Sequence, residues 1–414
     1  MSAEWPILPL GELTINHDGK RKPVKESQRK SGPYPYYGAS GIVDYVDGYL
    51  FDGDYLLIGE DGENMRTRQT PIAFMARGKF WVNNHAHIVT GNHLADTRFL
   101  MYSVLNSDIN SYLTGAVMPK LTHGNLNKIL LSCPPLDVQN EIVSVLGALD
   151  DRIALLRETN ATLEAIAQAL FKSWFVDFDP VRAKMEGRAP EGMDEATAAL
   201  FPDSFEESAL GLVPKGWRVR PLDEVADYLN GLALQKFPPK DDAWLPVIKI
   251  AQLRKGNTVG ADRAGRNIKP EYVIQSGDVL FSWSGSLEVE IWCGGEGALN
   301  QHLFKVTSNK YPKWFYYFWT KHHLAYFRQI AASKATTMGH IQRMHLTQAK
   351  VISPPDELVS AMGEYFAPLL DRWIATALQA QTLATLRDTL LPRLISGQLR
   401  LPDVESATLT KAEL

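Results

Sequence analysis

The chain has 414 residues, of which 45% are hydrophobic and 22% are charged, and its formal net charge is −4 at pH 7. This composition predicts a globular protein of two or three domains and argues against a protein that coats nucleic acid by bulk charge. No run approaches the roughly 20 apolar residues of a membrane span, and residues 1–4 lack the basic and apolar parts of a signal peptide. We therefore expect a cytoplasmic protein.

A basic segment lies near the start of the chain. Its members are Lys20, Arg21, Lys22, Lys25, Arg29 and Lys30, with Glu26 as the acid among them. Such a segment suits contact with phosphates, and a solvated loop explains it equally well when it is considered alone.

Short strands are predicted after the basic segment. Apolar or β-branched runs at 34–41, 55–58, 72–75, 80–82 and 87–89 are separated by Gly, Asp and Asn, which favour turns. They predict a compact domain of mixed secondary structure. Gly before an acid, as in Gly53-Asp54, is typical of a tight turn, so Asp54 is not a catalytic candidate.

A heptad pattern follows the strands. One core position is occupied by Ile142, Leu149, Leu156, Leu163 and Leu170, and the other by Leu146, Ile153, Asn160, Ala167 and Trp174. This period predicts one helix from about Asp137 to Phe178. Asn160 either fixes the register of a helix pair or faces outward where the seam rotates, and the sequence leaves both open.

The same features then return in the same order. Trp5, Pro9, Leu10, Glu12, Met118, Leu121, Leu126 and Pro134-Pro135 are matched by Trp217, Pro221, Leu222, Glu224, Met338, Ile341, Leu346 and Pro354-Pro355. A nearly constant separation indicates two tandem copies of one unit. Strand runs at 244–250, 278–283 and 302–306 belong to the second copy. Two equivalent surfaces suit a bipartite ligand, of which long DNA is the commonest.

A second, less regular heptad helix closes the second copy. Its core positions are Met362, Leu369, Thr376, Leu383 and Leu390, interleaved with Phe366, Trp373, Ala380, Arg387 and Leu394. Pro368 is predicted to kink this helix or to split off its first turns. The two apolar seams predict an antiparallel coiled coil that acts as a spacer between the domains. Small residues such as Ala161 and Ala165 allow close packing of the pair or a third helix from a partner.

We therefore predict an α+β protein in which two similar mixed α/β domains are separated by two long helices that form an antiparallel coiled coil. The predicted boundaries are a first domain at 1–136, a helix at 137–182, a linker at 183–212, a second domain at 213–355, a helix at 356–400 and a tail at 401–414.

The sequence offers no catalytic or metal-binding motif. Pro134-Pro135 and Pro354-Pro355 lack the flanking Asn or Asp and the aromatic residue of an amino-methyltransferase loop, and they suit the start of a helix. A glycine-rich phosphate loop is missing, and the histidines show no metal spacing. His85 and His302 align between the copies, which favours a structural hydrogen bond over a ligand contact. Cys133 and Cys293 are not equivalent, which favours buried thiols.

Two runs resemble a known family. Residues 170–182, 201–205 and 211–217 resemble the central conserved region of type I restriction-modification specificity subunits, and residues 386–397 resemble the distal conserved region. The resemblance spans essentially the whole chain. It implies a non-catalytic subunit in which each domain is a target recognition domain that reads one half of a split, asymmetric DNA sequence.

The resemblance also implies partners. Two methyltransferase subunits would dock on the paired helices, bring S-adenosylmethionine and methylate adenine at N6, and restriction subunits would add an ATP- and Mg-dependent translocase and endonuclease. This chain would hold no cofactor. The residues assigned to docking are Phe171, Trp174, Phe175, Leu390 and Leu394. The alternatives are a single-chain DNA methyltransferase/endonuclease and a DNA-independent scaffold.

Candidate DNA contacts come from polar side chains on loops, since Arg and Lys pair with guanine or phosphate and hydroxyls hold phosphates. In the first copy they are Lys20, Arg21, Lys22, Arg66, Arg68, Lys120, Thr122 and His123. In the second copy they are Trp283, Ser284, Ser286, Lys334, Thr336, Thr337, His340 and Arg343. Most other aromatics, including Tyr36, Trp314 and Trp319, are predicted to be core residues because B-DNA exposes no base face.

Overall fold

The computed structural model describes residues 5–240, 242–333 and 339–401. The contacts divide the chain into unit 1, which is Met1–Arg152 with Leu383–Leu414, and unit 2, which is Ile153–Thr382. Two long helices, Leu136–Phe175 and Asp356–Ile395, each contribute to both units.

Unit 1 is a domain of short strands and helices. Its strands are β1 (Ile7–Pro9), β2 (Thr14–Asn16), β3 (Ser31–Gly38), β4 (Gly41–Val46), β5 (Phe51–Asp52), β6 (Tyr55–Gly59), β7 (Ala73–Ala76), β8 (Lys79–Val82), β9 (Ala86–Gly91) and β10 (Leu130–Ser132). Its short helices are α1 (Leu10–Leu13), α2 (Asn64–Thr67), α3 (Thr97–Asn106) and α4 (His123–Leu126), with 3₁₀ turns at Asp18–Lys20, Glu26–Gln28 and Asn110–Tyr112. One sheet has the order β2-β9-β6-β7 and another has the order β4-β3-β8-β5, while β1 pairs with β10.

The central strand β6 is buried on both faces. Because successive side chains of a strand point to opposite faces, Leu56 and Ile58 join a core with Phe99 of α3, whereas Leu57 joins a separate core with Phe80. The strand runs predicted at 55–58, 80–82 and 87–89 are thereby confirmed. At the turn before β6, Gly53 has φ +131°, a value that a side chain disfavours, and this agrees with the predicted tight turn.

The chain between the two copies is structured. After helix α5 (Leu136–Phe175) it forms α6 (Asp179–Met185), α7 (Glu195–Leu200) and a hairpin of β11 (Phe205–Ser208) and β12 (Gly211–Pro214). Helix α5 ends three residues before the predicted Phe178, whose left-handed backbone, φ +58°, turns the chain into α6. The segment predicted as a linker thus contains helices and a hairpin, and Asp194 caps α7 by accepting from the Thr197 amide.

Unit 2 repeats the plan of unit 1. Its strands are β13 (Arg218–Pro221), β14 (Asp227–Asn230), β15 (Trp244–Ile248), β16 (Arg263–Gly265), β17 (Val273–Ile274), β18 (Val279–Ser282), β19 (Val289–Ile291), β20 (Gly297–Leu299), β21 (Leu303–Thr307) and β22 (Lys350–Ser353). Its helices are α8 (Leu222–Val225), α9 (Ile250–Lys255), α10 (Lys313–His322), α11 (Leu324–Ser333), α12 (Arg343–Gln348) and α13 (Asp356–Ile395), with 3₁₀ turns at Leu234–Lys236 and Pro270–Tyr272. The sheet order β14-β21-β18-β19 matches β2-β9-β6-β7, and β13 pairs with β22 as β1 pairs with β10. The predicted duplication is therefore a duplication of topology.

The long helices pair in opposite directions. In unit 1, Leu146 near the start of α5 shares a core with Leu394 near the end of α13. In unit 2, the Trp174 ring near the end of α5 lies 5.6 Å from the ring of Phe366 near the start of α13. This order confirms the predicted antiparallel pair. Asn160 faces α13, since its amide donates to the Trp373 carbonyl at 3.2 Å, so the outward-facing alternative is wrong.

Pro368 does not divide α13. The prediction that it splits off the first turns is wrong, because the helix runs without interruption from Asp356 to Ile395. A proline removes one backbone hydrogen bond from a helix, but Met362, Phe366 and Leu370 on either side are buried in the unit 2 core. Packing of this apolar face outweighs the local preference.

Candidate nucleic-acid interface

Each unit fastens a loop to the end of its central strand in the same way. In unit 1 the Glu60 amide donates to the His85 carbonyl at 2.9 Å, and the Glu60 carbonyl accepts from the Leu121 amide at 2.7 Å. In unit 2 the Trp283 amide donates to the His302 carbonyl at 3.3 Å, and the Trp283 carbonyl accepts from the Ile341 amide at 3.0 Å. Glu60 and Trp283 are therefore equivalent positions.

The loops attached there carry five of the predicted DNA contacts. An isolated β-bridge joins Asp61 to Lys120 in unit 1, and another joins Ser284 to His340 in unit 2. We name residues 113–123 reading loop 1 and residues 339–343 reading loop 2. Both lead into a short helix, α4 or α12. The structure thus brings Lys120, Thr122 and His123 together on one loop, and His340 and Arg343 together on the other.

Three predicted contacts cannot be placed. Lys334, Thr336 and Thr337 lie outside the described residues.

An equivalent histidine in each unit hydrogen-bonds to one residue of the isolated β-bridge. The His85 amide donates to Asn83 Oδ1 at 2.8 Å, and its ring Nδ1 lies 2.9 Å from an Asp61 carboxylate oxygen. In unit 2 the His302 amide donates to Asn300 Oδ1 at 3.2 Å, and its ring Nδ1 lies 2.9 Å from the Ser284 hydroxyl. The structural hydrogen bonds predicted for these two histidines are confirmed.

The basic segment is only partly available to a ligand. Lys20 and Lys22 are exposed. Arg21 is held within the fold, since its guanidinium lies 2.6 Å from Glu60, 3.4 Å from Asp18 and 2.9 Å from the Ala86 carbonyl. Arg21 therefore acts first as an internal cation that joins the basic segment to the end of β6.

Between reading loop 1 and the end of β6 lies an ion network that is buried at His87 and exposed at Lys120, and we name it the charged floor: Asp18, Arg21, Glu60, His87 and Lys120. The Lys120 ammonium lies 3.1 Å from Glu60, and the buried His87 ring lies 2.6 Å from Asp18. Burial acts to raise the pKa of both carboxyl groups, but hydrogen bonds from His87 to Asp18, and from Arg21 and Lys120 to Glu60, lower both pKa values. Asp18 and Glu60 are therefore anions in the fold.

Two further arginines brace the loops of unit 1. Arg66 donates to the Gly115 carbonyl at 2.9 Å, which ties α2 to reading loop 1. Arg68 donates to the Leu105 carbonyl at 3.0 Å and has a left-handed backbone, φ +47°, at the end of α2. Both residues are exposed, so each guanidinium can also face solvent and a ligand.

In unit 2 the floor is aromatic. The rings of Trp283 and Phe304 lie 5.9 Å apart, and the Arg343 guanidinium lies 5.6 Å from the centre of the Phe304 ring and donates to the Tyr228 carbonyl at 3.1 Å. We name Tyr228, Phe281, Trp283 and Phe304 the aromatic floor. The Trp283 indole also donates to Asn230 at 2.9 Å, so its N–H is engaged inside the domain.

The serines of unit 2 differ in exposure. Ser284 is buried against His302, whereas Ser286 is exposed. Ser286 is therefore the serine that can reach a phosphate. In unit 1 the Thr122 hydroxyl accepts from the Asn125 amide and so caps the start of α4. This hydroxyl therefore stabilises the helix.

The residues assigned to partner docking are core residues. Phe171 is 4% exposed, Trp174 1%, Phe175 0% and Leu394 0%, and Leu390 is half-buried. The predicted docking surface is corrected for Phe171, Trp174, Phe175 and Leu394, because these side chains fill the core of this chain, and it stays a prediction for Leu390. Phe175, for example, lies 5.9 Å from Trp217 and 5.6 Å from Trp314.

The described residues contain no cluster of three or more His, Cys, Asp or Glu side chains that could hold a metal ion. Among the helices that the structure describes, none is long and apolar enough to cross a membrane. Cys133 and Cys293 are buried free thiols, as predicted.

One family model matches the chain twice, once in each copy of the duplicated unit. A family model described as the type I restriction modification DNA specificity domain matches residues 3–165 and again residues 214–383. The chain belongs to this family. The two matches contain the two reading loops and their floors.

Relatives agree over different lengths. A putative type I restriction enzyme specificity subunit of Haemophilus influenzae is 44% identical over 146 residues, which is 35% of this chain and 37% of that relative. The HindI specificity subunit of the same organism is 23% identical over 84% of each chain. The MjaIX specificity subunit of Methanocaldococcus jannaschii is 22% identical over 97% of this chain and 95% of its own.

One solved structure shares the fold. The type I specificity subunit crystal structure from M. genitalium superposes with a TM-score of 0.57 at 13% identity, and it covers 94% of this chain and 96% of its own.

Proposed function

We propose that this chain is the DNA-reading subunit of a type I restriction-modification complex, and that each unit reads one half of a split, asymmetric target. The observation that carries the proposal is that two loops attached to the same backbone position present different side chains. Lys120 and His123 on reading loop 1 correspond to His340 and Arg343 on reading loop 2. Different donors at equivalent places would select different bases.

The long helices would set the unread gap between the half-sites. Their antiparallel pairing is supported in unit 2 by the Asn160 bond to α13 and in unit 1 by the ion pair of Arg387 with Asp150 at 2.7 Å. A polar contact at a core position favours one register of a helix pair over its alternatives. One register means one length.

The helices would also dock methyltransferase subunits. Because the residues first assigned to docking are buried, the proposed surface moves to exposed apolar residues of α5, such as Leu155 at 51% and Ile166 at 45%. The methyltransferase subunits would supply S-adenosylmethionine and methylate adenine at N6, and restriction subunits would supply the ATP- and Mg-dependent steps. This chain would be non-catalytic and would contribute base recognition and spacing.

A domain exchange tests the proposal. Residues 216–354 are replaced with the equivalent part of another specificity subunit, and the methylated adenines are mapped after the complex is reconstituted with its methyltransferase subunits. Only one half of the recognised sequence should change. A reciprocal exchange of residues 1–136 is the matched control and should change the other half. Changes in both halves after either exchange would show that the units do not read separately.

A length change tests the spacer. One in-register heptad inserted into both α5 and α13 lengthens the pair by about 10 Å and should widen the gap by about three base pairs, since DNA rises 3.4 Å per base on each strand. A heptad in α5 alone breaks the pairing and should abolish methylation. An unchanged gap after the paired insertion would reject the spacer. If the wild-type complex enriched no sequence from a random duplex pool, the chain would be a scaffold instead.

A further inference from the structure

The most enclosed polar side chain beneath reading loop 1 is His87, which the sequence did not single out. It lies on β9 opposite Ile58 of β6 and is 1% exposed. Its ring Nδ1 lies 2.6 Å from Asp18 Oδ2, and its ring Nε2 lies 2.8 Å from the Leu121 carbonyl oxygen. The ring therefore spans from the start of the basic segment to reading loop 1.

Both partners of the ring are acceptors. A backbone carbonyl oxygen has no proton to give, and Asp18 is an anion because its hydrogen bonds lower its pKa despite burial. The His87 ring is therefore held from both sides, by Asp18 and by the Leu121 carbonyl, and its Nδ1 lies 4.0 Å from Glu60.

The same anions hold the other polar parts of the surface. Asp18 also accepts from the Ile88 amide at 2.8 Å and pairs with Arg21 at 3.4 Å. Glu60 pairs with Arg21 and with Lys120 of reading loop 1. Any movement of His87 therefore reaches both the basic segment and the loop.

We propose that His87 is a positioning residue that fixes reading loop 1 against the basic segment, and that it thereby determines how well the first recognition domain discriminates its half of the DNA target. His87 is buried, so it acts through Leu121 and Asp18 and does not touch DNA. The inference rests on the proposed function, because it assumes that reading loop 1 faces a half-site.

Two substitutions separate the two bonds of the ring. In His87→Asn the side-chain amide lies near the former Nδ1, so it keeps the bond to Asp18 and loses the bond to Leu121. In His87→Gln the amide lies near the former Nε2, so it keeps the bond to Leu121 and loses the bond to Asp18. His93→Gln is the matched control, since His93 is an exposed histidine of the same domain.

The measurement is methylation by the full chain reconstituted with its methyltransferase subunits. Each variant is assayed on the mapped target and on duplexes with single base changes in one half or the other. His87→Asn should reduce discrimination in the half read by the first domain about tenfold, and discrimination in the other half should not change. His87→Gln should reduce the discrimination of the first domain by a similar factor, because it frees the other end of the link between Asp18 and reading loop 1, whereas His93→Gln should stay within about threefold of wild type.

Other outcomes overturn the inference. Unchanged discrimination in both His87→Asn and His87→Gln would show that the ring does not position reading loop 1, and equal losses in both halves would show a general defect. A wild-type complex without sequence preference would instead refute the proposed function itself, so the two failures are distinguishable.

A measurement on the unaltered chain covers the case in which the variants do not fold. With ¹⁵N-labelled histidine, the ring N–H signal of His87 should exchange slowly with solvent, because the ring is buried and bound at both ends. Fast exchange would contradict the two-sided contact on which the inference depends.

Discussion

The two reading loops hang from equivalent backbone positions but rest on chemically different floors. At the place where unit 1 has Glu60 and His87, unit 2 has Trp283 and Phe304, since His87 faces Ile58 across the sheet as Phe304 faces Phe281. One floor is built from ion pairs and the other from rings in contact. The backbone sets where a loop is attached, and the floor sets what holds it.

The two floors should differ in how much a substitution lowers the free energy of unfolding. Aromatic packing tolerates small losses because each contact contributes little by itself. A buried ion network is less tolerant, because removing one member leaves an uncompensated charge. The charged floor should therefore be the more fragile of the two, and its fragility should appear in any measurement that separates the units.

The largest effect is expected at a half-buried ion pair of unit 2, which shows whether the sensitivity to substitution follows the charge or the unit. Lys321 of α10 binds Glu164 of α5 and lies 3.6 Å from Glu290. Burial acts to lower the pKa of Lys321, but the nearby acidic groups raise it. Lys321→Met should cost about 3–5 kcal/mol in the free energy of unfolding, measured by chemical denaturation. Lys313→Met, on the exposed side of the same helix, should cost less than about 0.5 kcal/mol. Equal costs would refute the fragility argument.

An exchange of floor residues comes next. His87→Phe puts the ring of the second floor into the first and leaves Asp18 and the Leu121 carbonyl without their donor. It should destabilise unit 1 by about 3 kcal/mol. Phe304→Leu changes the aromatic floor at the equivalent position and should cost about 1 kcal/mol. Hydrogen exchange of peptides from each unit measures both values in the full chain, and a larger cost for Phe304→Leu would reverse the comparison.

Acid should destabilise unit 2 between pH 6.5 and about 4. Burial, and to a smaller extent repulsion from the neighbouring His322, lower the pKa of His323 from 6.5 to about 4. Because the unfolded chain takes up this proton first, the free energy of unfolding should fall by about 1.4 kcal/mol per pH unit between pH 6.5 and about 4. Asp18 and Glu60 have lowered pKa values, so their contribution is present above the ordinary values of 3.8 and 4.5 and is lost only at lower pH.

The substitution His323→Gln checks this assignment. Gln keeps a donor for the Lys350 carbonyl, which lies 2.9 Å from His323 Nε2, and removes the titration. The pH dependence of unit 2 stability should flatten between pH 6.5 and 4. A slope that does not change would assign the acid response to another group.

The smallest effect is expected at an exposed ion pair. Arg98 lies 3.1 Å from Asp151, whose side chain is 67% exposed. Asp151→Ala should change the free energy of unfolding by less than about 0.5 kcal/mol, because solvent screens the exposed carboxylate. A loss comparable with that of Lys321→Met would mean that exposure does not decide the value of an ion pair in this protein.

Local periodicity explains what the sequence predicted well. The heptads of α5 and α13 and the short strand runs depend on residues a few positions apart, and the duplication is visible because such local features return in the same order; all were found in the structure. Asp194 and Thr197 also contained a readable signal, since Asp followed three residues later by an amide that it caps is typical of a helix start.

The charged floor had no such signal. Asp18 and His87 are 69 positions apart, and Arg21 and Glu60 are 39 apart. Their meeting depends on strand pairing, which sequence spacing does not give. Arg21 was predicted as a DNA contact from its neighbours in the basic segment. Its internal ion pairs became visible only in the fold.

The docking residues were misassigned for a related reason. Phe171, Trp174 and Phe175 occupy a heptad helix, and a narrow apolar seam does not show how far aromatic partners extend around it. In the fold, Trp217, Trp314 and Phe366 surround these rings. Aromatic residues that are distant in the sequence therefore bury rings that the sequence suggested were on the surface.

The antiparallel pairing of α5 with α13 has a consequence for biosynthesis. Unit 2 is one continuous stretch, Ile153–Thr382, whereas unit 1 buries Leu394 and Ile395 in its core although its strands are made first. On the ribosome, the earlier half must wait as an incomplete intermediate until the later half has emerged. A nonsense codon near position 390 would therefore remove part of the unit 1 core and destabilise the amino-terminal domain.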